Sequence, residues 1–165
     1  MDRLWSPWRL AYVTAAQRTP TDCIFCDAVA QADAELVLLR GRRCFVILNL
    51  YPYNNGHLML APNRHINTLA SLTTEEQNEL MTLARWSEMA LTETYHPQGI
   101  NVGINVGKAA GAGIEDHLHM HLVPRWAGDT NFMTALAETR VLPETLQQTA
   151  ERLRPILERL ASADA

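Results

Sequence analysis

The 165-residue sequence predicts an α+β fold, with an antiparallel sheet of about five strands, one long helix and a C-terminal helix. Short apolar or alternating segments joined by dense turn signals predict the sheet. A capped run of helical period in mid-chain predicts the long helix, and an amphipathic stripe near the end predicts the last one. The length suits one domain over 1–165, with an irregular arm over 1–22 and an extension over 127–165.

The arm holds Trp5, Trp8 and Tyr12 without a clean period, so its aromatics are expected to pack on the body. Residues 26–34 can form a short helix. Residues 35–40 and 44–50 look like strands joined by a turn at Gly41, a hairpin. The run from Tyr51 to Gly56 is a dense turn signal, and 57–61 then reads as a third strand closed by Pro62. Thr73 and Glu76 fit a capping box, with Leu80, Leu83, Ala84 and Leu91 at helical spacing beyond it. Residues 99–106 and 117–123 are two more strands, separated by a glycine-rich loop. Leu146, Ala150, Leu153, Leu157 and Leu160 form one stripe of a final helix despite Pro155.

With 47% hydrophobic and 19% charged residues, the composition is globular. A net charge of −4 does not favour a nucleic-acid polymer or an anionic membrane surface as partner. Apolar runs fall far short of the roughly 20 residues of a membrane span, and the N-terminus lacks a secretory pattern, so a cytoplasmic protein is expected. Three cysteines do not read as a disulfide framework. Cys23 and Cys26 read as metal ligands, a redox pair or packing, and Cys44 as a small buried hydrophobe.

Half of the 6 histidines lie in His117-Leu118-His119-Met120-His121. On a strand their rings share one face about 6.6 Å apart at the backbone, while Leu118, Met120 and Leu122 face the core. Such a row suits a metal that takes two of the rings, as in zinc hydrolases or cupin-like oxygenases. The segment just before shifts the balance toward a phosphate beside an imidazole, because the loop from Asn105 through Gly111 and Gly113 has glycyl amides that can cradle an anion. An imidazole attacks phosphorus only when neutral and with one nitrogen free. The other nitrogen must then donate to a fixed acceptor, such as a backbone carbonyl. Its protonation switches the attack off near the unperturbed value of about 6.5, unless the site shifts it.

The Asn105-x-Gly107 segment, the glycine-rich loop and His117-x-His119-x-His121-x-x-Pro-Arg resemble the histidine triad (HIT) superfamily of nucleotide hydrolases and transferases. So does the upstream stretch NLYPYNNGHLMLAP from Asn49 to Pro62; the resemblance covers 23–125. The WSPWR arm and the GDTNFM segment are similar to the bacterial branch near fragile-histidine-triad and diadenosine tetraphosphate enzymes. The resemblance implies a hydrolase that cleaves at the α-phosphate of dinucleoside polyphosphates or adenylylated compounds, or a phosphorylase using phosphate as acceptor. A nucleotide-binding module with little turnover is the third possibility. His119 is then the nucleophile that forms a nucleotidyl-imidazole intermediate. His121 and His57 handle charge and protons. Asn49 meets the ribose, Ile47 and Leu48 the base, and Asn105, Gly111 and Gly113 the phosphates. Lys108, the only lysine, is either a phosphate contact or a solvated loop cation. Where the family often carries Gln or Ser before the first histidine, the stretch here reads Ala112-Gly113-Ile114-Glu115-Asp116, and Asp116 reads as a solvated turn residue. The resemblance further implies a structural Zn²⁺ on Cys23, Cys26, His65 and His117. It also implies a homodimer through the long helix and the 99–106 strand.

Overall fold

The computed structural model describes residues 23–31, 34–129 and 143–164, so the arm over 1–22 and the GDTNFM segment beyond Asp129 lie outside the described residues. In chain order the elements are α1 (Ile24–Ala30), β1 (Val37–Arg40), β2 (Cys44–Leu48), β3 (Leu58–Pro62), α2 (Thr74–Tyr95), β4 (Gly99–Ile104), β5 (Met120–Arg125) and α3 (Leu146–Ala163). The strands form one antiparallel sheet in the order β1-β2-β3-β5-β4. The α+β class and the expected five strands are thus present.

Both long helices lie on one face. There Leu80, Leu83, Ala84 and Leu91 of α2 and Ala150, Leu153 and Leu157 of α3 meet Val46, Leu48, Leu58, Leu60 and Leu122 of the sheet. Among the described residues the opposite face is covered only in part, where Phe25 and Ala28 of α1 pack on Phe45, Ile47, Met59 and Ala61. Next to that patch the same face carries the histidines.

Local chemistry explains the boundaries. α2 begins with the expected capping box between Thr73 and Glu76, and α3 with a second one between Thr145 and Gln148. Pro155 sits inside α3. The expected helix over 26–34 instead spans Ile24–Ala30, and β1 starts at Val37 because residues 35–36 form a turn. β2 ends at Leu48, and the Asn49 N–H still bonds the His57 carbonyl at 3.0 Å, in register with the ladder, before the chain enters the turn. The expected strand over 117–123 is displaced: β5 starts at Met120 and runs to Arg125. Its pairing with β3 ends at Leu60↔Met120. Beyond that pair the His117 ring takes the Pro62 carbonyl, and the Leu118 N–H goes to Ile66 O at 2.6 Å. A side chain has replaced the ladder.

Candidate active site and metal centre

The antiparallel pairing of β3 with β5 places Met59 opposite His121, so His121 emerges on the face not covered by α2 and α3. His117 and His119 follow it on the extended segment before β5; their residues are 0% and 4% exposed. His119 and His121 meet edge to face, their ring centroids 4.8 Å apart.

Hydrogen bonds decide which nitrogen of each ring carries a proton. The Tyr53 N–H, which can only donate, points at His57 Nδ1 from 3.1 Å, and Asn49 Nδ2 lies 3.3 Å from the same atom. His57 Nδ1 therefore accepts, and its Nε2–H donates to His121 Nδ1 at 2.9 Å. His121 is left with its proton on Nε2. His119 is arranged in the opposite sense: Nδ1–H donates to the His117 carbonyl at 2.8 Å, which leaves the Nε2 lone pair free. That carbonyl is the kind of fixed acceptor that a nucleophilic imidazole requires. Burial pushes the His119 ring below the ordinary imidazole range. For His121, burial together with the neighbouring His119 brings it to about 4. Both rings are neutral at pH 7.

Phe25, fully buried, packs on both His117 and His119 with centroid separations of 5.1 and 4.8 Å. Sequence reasoning missed this wall, although its place between the two cysteines was a usable signal. It missed the Tyr53 N–H as well, since a backbone donor leaves no trace in residue type.

The remaining nucleotide-contact candidates divide. Ile47 lies on the histidine face, packed with Phe25 and Met59. Leu48 does not join it: strand alternation turns it into the core under the helices, where it is 1% exposed, so a base sandwich of Ile47 with Leu48 is ruled out. Asn49 is folded into the turn that carries His57, its Oδ1 accepting from the Tyr51 N–H at 2.9 Å. The Gly111 amide, expected to hold phosphate, instead donates to Lys108 O at 2.9 Å and closes the short 3-10 turn Lys108–Ala110. Gly111 itself takes φ +88°, which a side chain would strain. Asn105 Nδ2 reaches toward the Gly111 carbonyl at 3.5 Å, Gly113 is exposed, and Lys108 is exposed on the turn.

The four proposed metal ligands converge. Their donor atoms all lie within 4.8 Å of one another. His117 Nδ1 is 3.3 Å from Cys23 Sγ and 3.7 Å from Cys26 Sγ, and His65 Nδ1 is 3.2 Å from Cys26 Sγ. Ligands 2.0–2.3 Å from a tetrahedral ion stand about 3.3–3.8 Å apart, so these separations match a two-sulfur, two-nitrogen centre. The donor set agrees. His117 Nε2–H is held by the Pro62 carbonyl at 2.9 Å, which turns the Nδ1 lone pair toward the thiols. Burial and the adjacent Cys23 thiol push the Cys26 thiol up, a conflict that a cation between them relieves. Cys44 is apart from this group, buried in the core, its thiol pushed up to about 12 mainly by that burial.

The HIT domain family matches residues 30–128, a span that includes the row and the turn bearing His57. The chain belongs to the HIT family. A HIT-family relative named AP-4-A phosphorylase, from Mycobacterium tuberculosis, is 39% identical over 161 residues, covering 93% of this chain and 83% of its own. A bis(5'-adenosyl)-triphosphatase of Dictyostelium discoideum is 31% identical over 121 residues, covering 69% and 80%. Among solved structures, a Zn-bound histidine triad family protein from Mycobacterium smegmatis superposes with a TM-score of 0.69 at 29% identity. It covers 86% of this chain and 97% of its own.

Proposed function

We propose that this protein is a hydrolase that cleaves dinucleoside polyphosphates at an α-phosphate through a nucleotidyl intermediate on His119. The tautomer pattern carries this reading: His119 offers a bare Nε2, and the neighbouring His121 offers an Nε2–H. Nε2 of His119 forms a bond to phosphorus as the bond to the bridging oxygen breaks. The leaving polyphosphate departs as an anion whose charge is met by the His121 Nε2–H. The new positive charge on the His119 ring is shared with the His117 carbonyl through Nδ1–H. Water then attacks, the N–P bond breaks, the nucleotide leaves and the water's proton passes to solvent. His57 is a positioning residue that acts through His121, and Asn49 holds the turn beneath it. Ile47 borders the base, while Asn105, the Gly113 amide and Lys108 border the phosphates.

Phosphate as the acceptor is a second reading, favoured by the 39% identity to the protein named AP-4-A phosphorylase. One experiment separates them. Diadenosine tetraphosphate is incubated with the enzyme in the absence and presence of phosphate, and products are identified. AMP formed without phosphate supports hydrolysis; a strict phosphate requirement with ADP as product replaces water by phosphate. Intact mass after rapid quenching is expected to show one nucleotidyl adduct. His119→Ala should remove the adduct and lower turnover by roughly 10³-fold or more. Full turnover in that variant would end the proposal.

Cys23, Cys26, His65 and His117 would hold a Zn²⁺, which supplies a structural cross-link between α1, the segment after β3 and the histidine row. About one zinc per chain is expected in protein purified without chelator, and Cys23→Ala should lose it and melt at lower temperature. We further place the protein in the cytoplasm, where its thiols stay reduced, as a homodimer. The dimer is supported by apolar side chains on α2 and on the edge strand β4 that are exposed among the described residues: Met81, Met89 and Val102 are 60%, 47% and 54% exposed.

A further inference from the structure

A hollow of 280 Å³ lies on the histidine face between the Tyr53 turn and strands β4 and β5, and His121 forms one of its walls. Along β5 the same-face residues run His121, Val123, Arg125, so the hollow continues the row on the side of His121 away from His119. Its floor is open at Gly103, which pairs with His121. A Cβ built there would meet nothing within 4 Å.

The polar groups of the hollow are partly committed, and what they leave over is informative. The Arg125 guanidinium is taken by the Asp129 carboxylate, Nε to Oδ2 at 2.6 Å and Nη2 to Oδ1 at 3.0 Å. The pair cancels its own charge, so the hollow offers no net pull on an anion. Arg125 Nη1 also donates to Asn101 Oδ1 at 2.9 Å, which leaves the Asn101 Nδ2 amide to face a ligand. Asn54 is the complement: its Nδ2 donates to Pro124 O and to Asp129 Oδ2, at 2.9 and 2.8 Å, leaving its Oδ1 as an acceptor. The Tyr53 ring, in a residue 48% exposed, lies near-parallel to His121 at 6.2 Å between centroids. One amide donor, one amide acceptor, an aromatic wall and no net charge suit a neutral planar group with a polar edge.

We propose that this hollow is the subsite for the leaving nucleoside of a dinucleoside polyphosphate. The proposal rests on the hydrolase reading above. The phosphate chain crosses His119 and His121, and the second nucleoside settles beyond His121, its base against Tyr53 and its polar edge between Asn54 and Asn101. The hollow thereby selects substrates with a nucleoside at both ends.

The test compares diadenosine tetraphosphate with adenosine 5'-tetraphosphate, which keeps the phosphate chain and lacks the second nucleoside. The wild-type enzyme is expected to prefer the dinucleoside in kcat/KM. Gly103→Val projects a β-branched side chain into the hollow from a position with room for it, and should lower that preference about tenfold, chiefly through KM for the dinucleoside. Asn101→Ala, at an exposed position, should lower it in the same direction and guards against a folding defect in the first variant. A preference unchanged in both variants, or no wild-type preference, overturns the subsite and leaves the hydrolase reading standing. Wild-type turnover of neither compound overturns both.

Discussion

His121 and His57 differ in what their neighbours allow. His57 has its Nδ1 fixed by a backbone N–H and donates its Nε2–H to His121, so the pair forms a directed hydrogen-bond chain that ends on the Nε2–H of His121. Because burial holds the His119 and His121 rings below the ordinary imidazole range, protonation does not silence them near pH 6.5. The acid limb of kcat/KM is therefore expected below pH 6.5, toward the His121 value of about 4. The same shift has a stability consequence. A ring whose folded value lies below its unfolded one binds fewer protons when folded, so its contribution is complete above about pH 6.5 and is lost as pH falls from there toward 4. A pH–rate profile with its acid limb at or above 6.5 would contradict the geometry.

Among the elements, the segment after β3 is held at two points. Arg64 clamps Glu76, with Nε to Oε1 and Nη2 to Oε2 both at 2.7 Å, and Nη2 also reaches the Ser71 carbonyl. Glu76 is 3% exposed, and the Arg64 hydrogen bonds are the main reason its carboxyl sits at about 2. Its stabilising share is present above about pH 4.5 and fades as pH falls toward 2. Glu76→Ala removes both the clamp and half of the capping box, and is expected to cost roughly 1–3 kcal/mol in denaturant unfolding at pH 7. Since His65 follows Arg64, the variant should also bind metal less tightly. Strands β2 and β3, helix α2 and the stripe of α3 were legible because period and capping are local properties. The start of β5 was not, because it depends on the His117 ring taking the carbonyl of a proline 55 positions earlier. Leu48 was legible in principle: alternation alone puts it on the opposite face from Ile47. The Gly111 amide was not, since nothing in a glycine-rich string says which amide closes a turn and which faces an anion. The meeting of His65 with Cys26, 39 positions apart, likewise came from family resemblance and not from spacing.

For the whole molecule, the two borders of the sheet are treated differently. At β1, Arg154 of the last helix donates to the carbonyls of Glu35 and Val37, at 3.0 and 3.1 Å, while β4 presents Val102 at an exposed edge. If a second copy docks along β4, Val102→Lys should shift the sedimentation coefficient from dimer to monomer, with little change in the melting temperature of the isolated chain. Retention of the dimer in that variant would move the interface elsewhere. Among the described residues one border is plugged by the chain's own guanidinium and the other is uncovered, so pairing along β4 would join two protomers edge to edge and leave no second free border for growth. Assembly by this route would halt at two chains, and a protomer with one such margin would thereby be kept from seeding an endless fibre.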